Sequence, residues 1–307
     1  VACLRGDCRL PIADCQLKEG ARAVFHVPIG NRQLAIGNFF GDRMNLLAGK
    51  KGLILNIAND RSIAAHIAQH AVREGAQCGF GFLPMDNPEK SERRVRRAME
   101  EMGYGGEWLH PIDVAKDDQI EKFFSAAKER FEKIDFLVHS LAFADRTYLQ
   151  KQYGNFTSTP RGVYAQAVDI SAYSLLALAR GAAPLMPQGG SIIALTYLGG
   201  DKVVPGYNVM GVAKAALEAT ARYLAFDLGP KKIRVNTISA GPVRTLSAMA
   251  VGGIDEMFAH VERKAPLQRN IDGDEVGKTA MYLLSDLSSG VTGENVYVDG
   301  GFNTVGV

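Results

Sequence analysis

The chain has 307 residues, 47% of them hydrophobic and 22% charged, which is enough apolar surface for one large or two ordinary globular domains. Its formal net charge of +2 leaves no electrostatic footprint for nucleic acid or for an anionic membrane surface. No unbroken apolar run reaches the ~18 residues expected of a membrane-spanning helix.

Residues 1–43 mix Gly, Arg, Pro and Cys without a helical or strand period and are expected to form a poorly structured extension. The opening VACLRGDCRLPIADC also lacks the apolar core of a secretory signal. Cys3, Cys8 and Cys15 lie here and Cys78 further on. With His26 the first three could make up a zinc set, but no paired short spacing is present. Thiols of a cytoplasmic protein are the expectation, with no metal site.

From Leu46 onward strand-like and helix-like segments alternate. GLILNIA, 52–58, is a short apolar run suited to a strand buried on both faces. Residues 62–75 follow as a helix with Ser62 as N-cap and Gly75 as its stop. AQCGFGF is the second strand, 89–103 a charged surface helix, GEWLHPIDV the third strand, 117–133 an amphipathic helix and IDFLVHSLAFA the fourth strand. A helix then covers roughly 161–186, and GGSIIALTY is a fifth strand. A long apolar helix follows Tyr207, and KIRVNTISAGPV is the sixth strand. A helix at 275–286 and a last strand in GENVYVDGG complete the series. This rhythm predicts an α/β fold, a doubly wound parallel sheet of about seven strands, as a single domain over 44–307.

In such a sheet ligands bind outside the carboxyl ends of the strands. After the first strand, NIANDRSIAAHIA can offer the start of a helix to a pyrophosphate, or it can be an ordinary connection capped by Ser62; the glycines of the usual dinucleotide fingerprint are absent. Asp113, after the third strand, reads as an adenine partner or as a turn residue. In the long helix, positions 210, 213, 214, 217, 221, 224 and 228 share one stripe, and Lys214 is its only charge. A lysine can snorkel out of such a stripe. Tyr207 lies two turns earlier on nearly the same face, about 10 Å along the axis, and Tyr197 stands at the end of the preceding strand. A phenol donating to a carbonyl and an ammonium holding hydroxyls would flank a bound ligand.

LTYLGGDKVVPGYNVMGVAKAALEA, ISAGPVRTL and VTGENVYVDGGF resemble the enoyl-acyl-carrier-protein reductases of bacterial fatty-acid synthesis, a branch of the short-chain dehydrogenase/reductase superfamily. The likeness runs from about Met44 to the C-terminus. The commonest superfamily pattern is Tyr-x3-Lys, but Met210 occupies that tyrosine position here; the set Tyr197, Tyr207, Lys214 resembles the enoyl-reductase branch instead. The resemblance implies hydride transfer from NADH, with NADPH as the alternative, to the β-carbon of an enoyl thioester on acyl carrier protein. Tyr207 would hydrogen-bond the thioester oxygen, Lys214 would hold the nicotinamide ribose, and Tyr197 would line the same pocket. It also implies cofactor contacts at Asn56, Ser62, Ile63, Asp113, Val114, Leu141, Val243, Thr245 and Ser247, and a substrate wall at Ala144. Residues 248–266 would form a mobile lid with Gly252 and Gly253 as hinge. A cytoplasmic homotetramer is implied as well, with Gly211, Ala215 and Ala219 small enough for close packing against another helix.

Two positions depart from the family's pattern. Asn56 and His66 stand where glycines are usual. Asparagine tolerates a left-handed backbone and can keep the turn, whereas the imidazole of His66 would push its helix outward or narrow the site. These departures keep open a nucleotide-binding homologue without turnover. A dehydrogenase acting on a keto substrate is the other alternative. No acid stands directly at the tip of the second strand, and Arg93 and Arg94 follow it.

Overall fold

The computed structural model describes residues 25–29, 32–36, 44–85, 87–104, 108–245, 248–250 and 253–306. The chain divides into two compact units, 1–44 and 45–307. In the first, β1 (Phe25–Ile29) and β2 (Arg32–Ile36) pair antiparallel, with Phe25 opposite Ile36 and Ile29 opposite Arg32. A regular hairpin thus stands inside a stretch expected to lack structure. Two five-residue strands are too short for a period to show, but the two residues between them are Gly30 and Asn31, a pairing that two-residue hairpin loops favour. Cys3, Cys8 and Cys15 lie outside the described residues.

The second unit builds β3 (Lys51–Leu55), α1 (Ile63–Arg73), β4 (Gln77–Phe82), α2 (Pro88–Glu101), β5 (Trp108–Pro111), α3 (Asp117–Phe131) and β6 (Phe136–His139). It continues with α4 (Arg161–Val168), α5 (Ser174–Ala182), β7 (Gly190–Thr196), α6 (Asn208–Leu228), β8 (Ile233–Ala240), α7 (Ile254–Lys264), α8 (Gly273–Leu284) and β9 (Asn295–Val298). The seven strands β3 to β9 form one all-parallel sheet in the order β5-β4-β3-β6-β7-β8-β9. β3 is an inner strand, and Leu53, Ile54 and Leu55 are fully buried, because helices cover both faces. α3, α5 and α6 pack their Phe123, Leu178 and Leu217 on one face. α1, α2 and α8 pack Ile67, Met99 and Val276 on the other.

Bulk on one strand is met by its absence on the next. A Cβ at Gly79 of β4 would stand 2.7 Å from Phe131 and 2.8 Å from Trp108, and one at Gly52 of β3 2.1 Å from the Phe136 ring. The aromatic cluster of Trp108, Phe123 and Phe131 fills the space at Gly79, and Phe136 the space at Gly52.

α4 and α5 are one helical run broken by a π-helical turn at Asp169–Tyr173. There the Ser174 hydroxyl donates to the Ile170 carbonyl at 2.7 Å and meets His139 Nε2 at 2.7 Å. By length and composition this run, Arg161–Leu185, is the one among the described residues that could cross a membrane. In this fold it lies against α3 and α6 with its inner face in the core.

Strand β3 turns to β4 on one side and its other neighbour is β6. The crevice therefore opens at the carboxyl ends of β3 and β6, where strand order reverses.

Candidate active site

Asn56 follows β3 directly, with φ 69°, so the left-handed turn expected of it is present. Its Nδ2 donates to the Ser140 carbonyl at 2.9 Å, just beyond β6. One side chain thus ties together the two strand ends that bound the crevice. Ser62 caps α1: its Oγ accepts from the Ala65 amide at 3.3 Å and donates to the Asn59 carbonyl at 2.7 Å. The helix starts at Ile63, and its first-turn amides lack intrahelical acceptors. Such a start is a ready site for a phosphate group.

Beside this turn lies a cavity of about 650 Å³, within the range of small-molecule and cofactor sites. Asn56, Ser62 and Ile63 line one end, and Tyr197, Tyr207 and Lys214 the middle. Leu141 and Ala144 come from the segment after β6, and Val243 and Thr245 from the loop after β8. Ser247 and Gly252 lie outside the described residues. Gly253 has φ 77° as the N-cap of α7. Lys151 pairs with Glu256, and Arg244 with Asp255 at 3.3 Å, holding the start of that helix.

The stripe on α6 is buried as its period requires. Met210, Ala213, Leu217, Ala221, Leu224 and Leu228 enter the core, and Lys214 goes in with them at 5% exposure. Lys214 does not snorkel. Its Nζ donates to the Leu195 carbonyl at 2.7 Å, leaving two of its three donors for a ligand. Burial draws the ammonium down to about 8, against the opposing pull of Glu218. Tyr197 and Tyr207 meet edge to face, with ring centroids 4.9 Å apart. Burial raises both phenols above their ordinary value, so each remains a hydroxyl donor at neutral pH. Tyr197 donates to Met257 Sδ of α7 at 2.8 Å. Among the described residues nothing hydrogen-bonds the Tyr207 hydroxyl, which faces the cavity.

Three expectations need correction or relocation. The His66 ring does not narrow the site: it packs over α8, where a Cβ on Gly273 would stand 2.2 Å from His66 Cδ2. The glycine missing from α1 has its counterpart on the facing helix. Gly211 is not available to a partner helix either, because its missing Cβ would stand 2.7 Å from the Gly199 carbonyl of the same chain. Asp113 and Val114 stand at the carboxyl edge beyond β5, outside the cavity lining. There the Asp113 carboxylate accepts from the Ala115 amide at 3.1 Å and pairs with Lys116 at 3.2 Å, the contacts of a turn residue.

Sequence reasoning missed Glu218 and Met257. Glu218 lies one turn beyond Lys214, 8% exposed, and accepts the Thr196 hydroxyl at 2.6 Å. The four-residue spacing was visible, but it is the spacing of any solvated helix ion pair. Met257 gave no signal, since a methionine on an amphipathic helix reads as packing.

The family model described as enoyl-(acyl carrier protein) reductase matches residues 57–303. The NADH-dependent enoyl-[acyl-carrier-protein] reductase of a Synechocystis species is 52% identical over 266 residues, covering 85% of this chain and 99% of that relative. The NADPH-dependent enzyme of a Staphylococcus aureus strain is 48% identical, covering 84% of this chain and 98% of that one. Among solved structures, the Anaplasma phagocytophilum reductase in complex with NAD superposes with a TM-score of 0.79 at 42% identity, over 85% of this chain and 97% of that one. The Bacillus cereus reductase with NADP+ and indole naphthyridinone gives 0.81 at 44% identity, over 86% and 100%. With the family model matched over 57–303 and identity at this level across the reductase unit, the chain belongs to the enoyl-[acyl-carrier-protein] reductase family.

Proposed function

We propose that this chain reduces the α,β double bond of an enoyl thioester carried on acyl carrier protein, at the cavity that Tyr197, Tyr207 and Lys214 share. The observation that carries the reading is the Tyr207 hydroxyl, on a half-buried side chain lining the cavity, protonated and without a partner among the described residues, two helical turns from a buried ammonium with donors to spare. NADH is the reductant proposed, as the Synechocystis relative's description has it, and when bound it supplies the hydride that reaches the β-carbon. The residues present fit a dinucleotide: the left-handed turn at Asn56 and the open helix start at Ile63 suit a pyrophosphate, and the free donors of Lys214 suit ribose hydroxyls.

Each side chain then has a task. Tyr207 donates to the thioester oxygen as negative charge gathers there, and costs no reorganisation because its hydroxyl is already in place. Lys214 orients the nicotinamide ribose and lends positive charge to the same region. Tyr197 closes the pocket beside Met257 and presses its ring edge on Tyr207. Val243, Thr245 and Ser247 would cover the cofactor from the loop after β8, and α7 would close over the acyl chain.

The reading carries with it a cytoplasmic enzyme and a homotetramer. Tyr223 and Phe226 on the outer side of α6, 80% and 86% exposed, offer the aromatic area that a second copy would cover. The single test is oxidation of NADH and NADPH, followed by the loss of nicotinamide absorbance, with a crotonyl thioester and with a β-keto thioester. Turnover with the enoyl substrate alone is expected. Turnover with only the keto substrate, or with neither at high protein concentration, rejects the proposal.

A further inference from the structure

Glu218 is a buried carboxylate that the reduction itself does not use. Lys214 and Glu218, one turn apart on α6, reach the same piece of chain. The ammonium donates to the carbonyl of Leu195, and the Glu218 carboxylate accepts the hydroxyl of Thr196. These are the last two residues of β7, immediately before Tyr197. Burial pushes the Glu218 carboxyl up, and the 2.6 Å contact with the Thr196 hydroxyl, with the Arg222 and Lys214 cations, works against that in favour of the carboxylate. Beyond Tyr197 the chain turns through Gly199 and Gly200. A Cβ on Gly200 would stand 2.6 Å from Glu218 Oε1, and one on Gly199 2.4 Å from the Tyr207 ring. The turn is therefore wedged between Tyr207 and Glu218.

The charged surroundings are few. Glu218 is faced by Lys214 and Arg222 of its own helix, by Tyr207 just before it, by Asp201 at the end of the turn, and by Tyr297 of β9. Lys214 is faced by Glu218 and by His139 of β6.

We propose that Glu218 is a positioning residue for this site: its carboxylate anchors the strand end that carries Tyr197 and supplies the negative charge that keeps the buried Lys214 cationic. It acts through Thr196 and Lys214. The proposal rests on the reading of Lys214 as the cation that holds the cofactor ribose. Burial alone draws the ammonium toward neutrality near physiological pH, and Glu218 is the group that opposes it.

Glu218→Gln keeps the shape and an oxygen for Thr196 while removing the charge. The first readout is the pH midpoint of amine labelling at Lys214 in the cofactor-free protein, followed by mass spectrometry. It is expected to fall by about one pH unit in the Gln variant. The second is the dissociation constant for NADH, expected to weaken several-fold more at pH 8 than at pH 6.5. Thr196→Val breaks the hydroxyl contact and keeps the charge, so it should leave the Lys214 midpoint where it is. Glu218→Asp should hold the wild-type midpoint within a few tenths of a unit. Equal midpoints in wild type and Glu218→Gln overturn the proposal, as does a midpoint displaced as far in the Asp variant as in the Gln variant. A merely structural Glu218 would lower the melting temperature of the Gln and Val variants alike and move no midpoint. If the midpoint moves but NADH affinity does not follow it, the ribose role of Lys214 fails while the charge effect of Glu218 stands.

Discussion

Replacing Gly273 by alanine puts a methyl group 2.2 Å from His66 Cδ2 and 2.7 Å from Cγ and Nε2 of the same ring. Real side chains do not approach so closely, and the ring is held between α1 and α8, so it or the helix must move. Overpacking of this kind costs about 1–3 kcal/mol. Alanine's better helix propensity returns at most about 1 kcal/mol. Gly273→Ala alone should therefore destabilise by about 1–2 kcal/mol, a fall of roughly 2–8 °C in melting temperature for a unit of this size. In a His66→Ala background the ring is gone, and the same substitution should be neutral or slightly stabilising. The coupling between the two sites, measured by urea unfolding of the four proteins, should be about 1–3 kcal/mol in favour of the double variant. The dissociation constant for NADH should be the same in His66→Ala and wild type, because the ring points at α8 and away from the cavity. Additive effects within about 0.5 kcal/mol would refute the packing argument. A tenfold gain in NADH affinity on removing the imidazole would show that the ring obstructs the cofactor after all.

Tyr207→Phe keeps the ring edge against Tyr197 and loses a hydroxyl with no partner among the described residues. Its turnover number should fall about 10²–10³-fold with the melting temperature unchanged, and a variant within fivefold of wild type would remove Tyr207 from the oxyanion. Stability should fall on acidification. His139 is fully buried, and burial, aided by Lys214, lowers it to about 3. The unfolded chain takes up that proton near 6.5 while the folded chain does not, so the stability held above pH 6.5 drains away as pH falls toward 3. The loss between pH 6.5 and 5 is about 2 kcal/mol from this residue, read as a shift in urea midpoint that His139→Asn should flatten; an equal shift in that variant assigns the effect elsewhere. A chain beginning at Met44 should fold and keep full activity, since the two compact units divide after that residue. A soluble but inactive product would give residues 1–43 a part in the site.

Much of this was legible before any coordinates. The alternation of short apolar runs with helical periods announced the parallel sheet, because a strand buried on both faces must be continuously apolar and a surface helix must not. The stripe on α6 marked Lys214 as its lone charge while leaving open whether it snorkels, and the chemistry of asparagine anticipated the turn at Asn56. What stayed hidden depends on groups brought together across the chain. The fit of His66 to Gly273 joins two helices distant in sequence, and no local pattern marks either partner. The paired strands at 25–29 and 32–36 are too short to display a period. The π-helical turn at Asp169–Tyr173 ends where His139 meets Ser174, a contact between a strand end and a helix that no local pattern marks.

The hydrogen bond from Tyr197 to Met257 has a consequence for how the pocket receives an acyl group. A thioether is a poor acceptor, so the tie is worth little in itself. It sets the bearing of the phenol while nothing better is present. A carbonyl oxygen arriving within reach is a stronger acceptor, and the exchange runs downhill. A carbonyl that takes the Tyr197 hydroxyl thus frees the Met257 thioether to pack on the acyl chain, while the pairs of Lys151 with Glu256 and Arg244 with Asp255 keep the start of α7 where it is.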